Sequence, residues 1–345
     1  MSIQIFTFYY TNNYGALIQS QSLKKFLEEN TNHKVDFAQY QPKELLYREI
    51  YRPIITKKLA VLFKNIIKSY KLKKWKTKKN LAAPTKNKEI IKKSISIYGS
   101  DAIWHTFSWS GFQPYYFGEG NEGFKISYAA SIGPTDFDNT NMITLSKIKV
   151  LLNKFTHISV RDTNTARLVK KMTGHDPLIV VDPVFLTDLY FKNSIKNNTE
   201  KFAIIYGVVF SDEDKIKIVN FCKSKNLKTI SIGYYNDWVD KNFIHANPDE
   251  FLSHLSNAEY IFTSMFHGVM FSVKFKKNFW YSLDPVRTNK IEYFINNLNL
   301  SSRSLINSRE LSDEIEYKNI YVKLNLWINK SKEFLIKSIK NKEIP

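Results

Sequence analysis

One cysteine, Cys222, in 345 residues excludes an intramolecular disulfide framework and any cysteine-rich metal site, and it fits a reducing compartment. The seven histidines show no HxxxH or HExxH spacing, so no metal centre is expected. No run approaches the roughly 20 apolar residues that span a bilayer. The opening MSIQIFTFYY has neither the basic lead nor the long apolar core of a secretory signal. These absences predict a cytoplasmic chain. Signatures of zinc-finger, RRM or KH modules are missing, which argues against nucleic acid as the partner. Acidic residues are scarce: 32 Asp+Glu against 51 Lys+Arg leave a formal net charge of +19. That excess favours an anionic partner, such as a phosphorylated small molecule or an anionic lipid surface.

What is there fits two domains, each long enough to bury a core. Residues 2–10 read as a strand, Thr11-Asn12-Asn13 as a capping turn and residues 16–30 as a helix. A Rossmann-like α/β unit opens this way, although the turn lacks the GxGxxG of dinucleotide binders. Further strands at 35–40, 94–98, 125–131, 157–160 and 178–181, with helices between, argue a largely parallel sheet. The aromatic segment 107–117 reads as a loop packed over a site. Polar residues at 192–201 read as the link to a second domain, with strands at 202–210, 228–233 and 260–264. Asn247-Pro248-Asp249-Glu250 is a helix start. The expected plan is α/β with two Rossmann-like domains: 1–190 with a basic helical insertion at about 48–90, then 200–310. An amphipathic C-terminal helix within 311–345 is expected to pack back across the interface.

The basic segment, Lys57 to Lys79, carries ten lysines and no acidic residue, with Leu59, Leu62, Phe63, Ile66, Ile67 and Tyr70 at helical spacing. A basic amphipathic helix reads either as a membrane-surface element or as a solvated helix packed on its apolar side. Both readings make it a lid or surface arm, with peripheral attachment to the inner face of the cell membrane as one outcome.

The chain is organised around residues 258–279. An apolar strand ends at Thr263 and Ser264, His267 and Gly268 follow, and a second apolar run comes after them. The reading is strand, turn and helix, although Phe271, Val273 and Phe275 also alternate as a strand would. A helix N-terminus offers unpaired N–H groups and a positive dipole end. It therefore attracts anions and disfavours the charged form of a histidine placed there, keeping a neutral base available. The alternative is a satisfied core histidine.

Six short motifs then fall in order: Asn12-Asn13-Tyr14-Gly15-Ala16, Gly99-Ser100-Asp101-Ala102-Ile103-Trp104, Ser127-Tyr128-Ala129-Ala130-Ser131-Ile132-Gly133, Ser159-Val160-Arg161-Asp162, Asp182-Pro183-Val184-Phe185-Leu186 and Thr263-Ser264-Met265-Phe266-His267-Gly268. Together they resemble the polysaccharide pyruvyl transferase family over roughly residues 5 to 305. The resemblance implies a GT-B-like arrangement with a cleft between the domains. It also implies transfer of the pyruvyl group of phosphoenolpyruvate to a sugar, or to a lipid-linked oligosaccharide, as a ketal during cell-surface polysaccharide assembly. No cofactor beyond that donor and no metal is implied. The sequence departs from the pattern at Met265, where many members have Arg, at Ala102, where Gln is usual, and at His105, where Asn is often seen. A glycosyltransferase using a nucleotide sugar, and a non-catalytic polysaccharide assembly protein, remain open alternatives.

On this resemblance His267 is the base or the group that steers the phosphate, and Asp101 an acid or acceptor-binding group. Arg161 suits a bidentate anion clamp. Ser264 and the backbone after Gly268 are placed to hold phosphate or carboxylate oxygens, and Tyr14 and Gly15 face the cleft from the other helix N-terminus. Trp104 and His105 are placed to meet the sugar. Each has a plainer alternative: Asp101 as a turn cap, Arg161 paired with Asp162, Trp104 in the core, Gly15 for close packing. Asp182 and Pro183 read as structural turn residues, and Lys274 and Lys277 as surface charge.

Overall fold

The computed structural model describes residues 2–47, 58–81, 94–106, 111–193, 195, 200–282, 285–308, 311 and 314–341. Short runs of β-branched and aromatic residues form strands that pair only in parallel. The first sheet contains β1 (Ser2–Phe6), β2 (Lys34–Phe37), β3 (Ile95–Tyr98), β4 (Phe124–Ala130), β5 (His157–Val160) and β6 (Leu178–Ile179), in the order β2-β1-β3-β4-β5-β6. Its helices are α1 (Tyr14–Asn30), α2 (Lys43–Leu46), α3 (Leu59–Lys78), α4 (Met142–Leu152) and α5 (Thr163–Thr173). The second sheet contains β7 (Phe202–Tyr206), β8 (Lys228–Ile232), β9 (Lys241–Phe243), β10 (Tyr260–Thr263) and β11 (Asn278–Tyr281), in the order β11-β10-β7-β8-β9. Around it lie α6 (Asp212–Ser224), α7 (Pro248–Asn257), α8 (Phe266–Lys274) and α9 (Pro285–Asn297), and α10 (Tyr317–Lys340) ends the described chain. The molecule is α/β, with two Rossmann-like halves.

Central strands such as β3 and β7 are buried at every residue, which is why they read as continuous apolar runs. The same burial explains the ambiguous run after His267. Residues 267–273 are all buried, so α8 has no solvent face, and the strand-like alternation there carries no information. β1 is shorter than expected, ending at Phe6; Tyr9 turns away to stack on Phe37 with ring centroids 4.7 Å apart. The aromatic segment is a correction. Residues 107–110 lie outside the described residues, but Tyr116 and Phe117 are fully buried and Trp104 stacks on Phe117. Its end, Tyr116 and Phe117, fills the core of the first half instead of covering a site.

Two helices cross between the halves. On the first half, α10 donates from Trp327 Nε1 to the Ile179 carbonyl (2.9 Å), and its Ser331 hydroxyl accepts from the Val181 N–H (3.0 Å). On the second, Tyr317 and Tyr321 hydroxyls donate to the carbonyls of Lys277 (2.6 Å) and Val273 (3.0 Å). The basic helix α3 does the same from the other side. Ser69 accepts from Asn12 Nδ2 (3.2 Å) and Lys76 Nζ donates to the Tyr10 carbonyl (2.7 Å) on the first half. On the second, Lys68 Nζ donates to the Gly233 carbonyl (2.8 Å), Lys71 pairs with Glu250 (3.1 Å) and Trp75 Nε1 donates to Asp249 (3.1 Å). Lys57 and the flanking parts of the basic insertion, 48–57 and 82–93, lie outside the described residues. Among the described residues no helix is long and apolar enough to cross a membrane.

Candidate active site

In an open parallel sheet, ligands gather beyond the strand C-termini where the strand order reverses. The first sheet reverses between β1 and β3, and the second between β7 and β10. Beyond β1 comes the turn into α1 with Gly15, beyond β3 comes Asp101, and beyond β10 comes the turn into α8 with His267. Both reversal points therefore deliver motif residues to the same interface.

The two helix N-termini meet there. A Cβ at Gly15 would collide with the His267 ring, so only glycine lets the halves close to this distance. The α1 terminus is capped, since Asn13 Oδ1 accepts from the backbone N–H groups of Gly15 (2.9 Å) and Ala16 (3.4 Å). The α8 terminus has Met265 at the cap position and no side-chain cap, so its dipole end is left to the histidine and to whatever binds beside it. The N–H groups of Gly268 and Val269 bond back to the Met265 carbonyl and are committed within the helix. That removes the expectation that backbone after Gly268 grips a ligand. Gly268 is required for packing, because a Cβ there would run into the Thr263 hydroxyl.

Behind the imidazole lies a buried chain of charges. His267 Nε2 sits 3.4 Å from Asp182 Oδ2, an ion-pair separation without hydrogen-bond alignment. Asp182 Oδ2 also accepts from Arg161 at 3.2 Å, and the other guanidinium nitrogen lies 3.7 Å from Asp101 Oδ1. The guanidinium stacks over Phe266, 4.2 Å from the ring centre, and its Nε has no partner. Burial works against the charge on Asp182. His267, then Arg161 and the Val184 N–H, outweigh that and hold its carboxyl below the ordinary value. Asp101 is the member of the chain most open to solvent and has φ +79°, a backbone setting that non-glycine residues adopt mainly at constrained sites.

The structure brings His267, Arg161, Asp101 and Gly15 together, and it adds Asp182. Arg161 pairs with Asp182 and Asp101, not with Asp162, whose carboxylate caps α5 by accepting from the Thr165 N–H (2.8 Å). Its charge is thus offset by two carboxylates, and it is not the free anion clamp that was expected. Four expected ligand contacts are placed elsewhere. Tyr14 is buried across the interface, stacked on Phe251 with centroids 4.4 Å apart and donating to the Ala246 carbonyl (2.7 Å), so it bolts the halves together. Trp104 is fully buried and donates to the Tyr116 carbonyl (2.9 Å), leaving no face for a sugar. The Ser264 hydroxyl accepts from the Val209 N–H (3.1 Å) and packs against Gly207. His105 pairs through Nδ1 with Thr135 at 2.5 Å on the first half. Lys274 is no free surface charge, for its Nζ donates to the Thr187 carbonyl at 2.9 Å. Asp182 is the residue that sequence reasoning missed; its one signal was a motif position just after a short strand.

None of the curated proteins matches the chain significantly. Among solved structures it is similar to the UDP-GlcNAc 2-epimerase of Neisseria meningitidis bound to UDP-GlcNAc, at 9% identity and TM-score 0.50, covering 99% of each chain. It is also similar to the Methanocaldococcus jannaschii UDP-GlcNAc 2-epimerase in complex with UDP-GlcNAc and UDP, at 12% identity and TM-score 0.46, covering 99% of each chain. A third is the E. coli heptosyltransferase WaaC with ADP, at 12% identity and TM-score 0.40, covering 98% of this chain and 100% of that one. At 9% identity the first of these is a likeness of fold alone, and it accords with two Rossmann-like domains in a GT-B-like arrangement. The family model for polysaccharide pyruvyl transferase matches residues 13–282, from the turn that leads into α1 to just beyond β11, and the chain, a transferase, belongs to that family.

Proposed function

We propose that this transferase moves the pyruvyl group of phosphoenolpyruvate onto two hydroxyls of one sugar, in a cell-surface polysaccharide or its lipid-linked precursor at the inner face of the membrane. The donor's methylene carbon gains a proton and becomes a methyl group. Two acceptor oxygens bond to its C2, the C2–O bond to phosphate breaks, and of the two hydroxyl protons one balances the methyl and the other leaves with phosphate. This step needs no resident cofactor.

The observation that carries the reading is the chain His267–Asp182–Arg161–Asp101, which joins the reversal points of both sheets beside an uncapped helix N-terminus. In it His267 moves the proton, with the Asp182 carboxylate 3.4 Å behind the ring. The α8 dipole end attracts the donor's phosphate or carboxylate. Arg161 positions the two aspartates, and Asp101, the accessible one, takes an acceptor hydroxyl. The imidazole is 7% exposed, so the donor enters when the halves part and reacts when they close.

The test is to incubate the protein with phosphoenolpyruvate and candidate glycans, and to read phosphate release together with the mass of the ketal product. Both signals together support the reading. Stabilisation in a thermal-shift assay by nucleotide sugars alone, without phosphate release from phosphoenolpyruvate, overturns it in favour of glycosyl transfer.

A further inference from the structure

The basic helix α3 has two unlike faces. Its inner face holds Lys68, Leu72 and Trp75, and it is strapped to both halves by the bonds already described. Its outer face carries Leu59, Phe63, Ile66 and Tyr70, which are 79%, 66%, 48% and 67% exposed. Their spacing puts them on one side of the helix as a stripe about 17 Å long. Other large apolar side chains are exposed singly or in pairs, Ile143 and Ile306 among them, whereas here four stand in one row along a helix beside a run of lysines. Around and beyond it, Lys58, Lys73, Lys74 and Lys78 are exposed, and no acidic residue lies between Lys57 and Lys79.

We propose that the outer face of α3 is a docking surface for an anionic bilayer. The four apolar side chains enter the headgroup–acyl boundary and the exposed lysines meet anionic headgroups. Apolar insertion beside positive charge is what separates a lipid surface from nucleic acid, which would leave the stripe in water. Docking needs no unfolding, because the stripe already points outward while the inner face keeps its straps. Lys68 on that inner face lies over the Tyr14 ring, 4.7 Å from its centre. The N-terminus of α1 therefore sits about one helix diameter, roughly 10 Å, beneath the stripe. A docked protein thus holds its interdomain junction at headgroup level, where the sugar of a lipid-linked acceptor stands. This inference deepens the membrane-side reading of the acceptor and rests on it.

The experiment is co-sedimentation of the full chain with vesicles of phosphatidylglycerol and phosphatidylcholine, and with phosphatidylcholine alone. Circular dichroism and thermal midpoints check the fold of every variant. The wild type is expected to prefer the anionic vesicles. Phe63→Ser with Ile66→Ser should lower binding to them at least tenfold, and Lys73→Glu with Lys74→Glu should abolish the preference for anionic lipid. Unchanged binding by the serine variant overturns the proposal. So does a wild-type dimer in sedimentation velocity that the serine variant dissociates, or tight binding to an RNA oligonucleotide that the serine variant retains. Ketal transfer to a water-soluble acceptor separates the two readings: the serine variant keeps it. Failed docking with intact transfer sinks only the docking surface, and docking without transfer sinks only the enzymatic reading.

Discussion

The turns into α1 and α8 have the same local design: a buried parallel strand, a tight turn, and a helix whose N-terminus points at the opposite half. They are put to different uses. At α1 the orphan N–H groups are taken by Asn13, and the next residue, Tyr14, is driven into the other half as a buried anchor. At α8 no side chain caps the terminus, and the residue presented is a histidine backed by a carboxylate. One N-terminus is closed by a side-chain cap and the other is left uncapped, which is where the proposed chemistry is placed. The geometry that attracts anions is therefore not itself a site; what fills the cap and what stands behind the first turn decide that.

The largest test of this contrast is His267→Ala. We expect kcat to fall by roughly 10²–10⁴-fold while the thermal midpoint stays close to wild type, as suits loss of a proton-transfer group; a kcat within a few-fold of wild type would give the chemistry to another residue. Next is Asp182→Asn, which leaves Arg161 buried with less compensation and should cost roughly 3–5 kcal/mol of stability in denaturant titrations. The pH dependence sharpens it. Because the folded carboxyl of Asp182 lies below its ordinary value, its contribution is complete above the ordinary carboxylate range and is lost as pH falls through the folded value. The stability curves of wild type and variant should accordingly converge in acid; a constant gap would place the destabilisation elsewhere. Gly15→Ala comes third. The added methyl displaces the imidazole or holds the halves apart, and a misplacement of that size lowers kcat by about 10²-fold, read with steady-state kinetics at saturating donor. Smallest is Asn13→Ala, a lost cap worth about 1 kcal/mol in thermal unfolding with little change in kcat. A large kinetic effect there would mean that the α1 terminus also takes part in the reaction.

Much of the architecture was legible because parallel strands and the helices between them leave local signals, and Asn13, Gly15, Arg161 and His267 stand in short motifs at strand ends. β9 and β11 were missed because, at three and four residues, they are too short to show a periodic pattern. Asp182 was taken for a turn residue, which it is: its Oδ1 accepts from the Val184 N–H. Its Oδ2 serves Arg161 and His267, partners distant in sequence that no local pattern announces. The aromatic residues misled for the opposite reason. Tyr14 and Trp104 lie in the right motifs, but their large apolar area goes to the interface and the core, where burying it stabilises most.

The seating of the His267 ring depends on both halves at once. Gly15 and Asp182, which fix that ring, belong to the half that His267 does not. On the proposed reading, swinging the halves apart to admit a ligand would separate the ring from both supports, and bringing them together would restore them. On that reading, water arriving during the open phase would meet an imidazole without its supports, which would spare the activated donor from hydrolysis before the sugar is in place. Either half produced alone should carry the ring or its supports, but never a working pair.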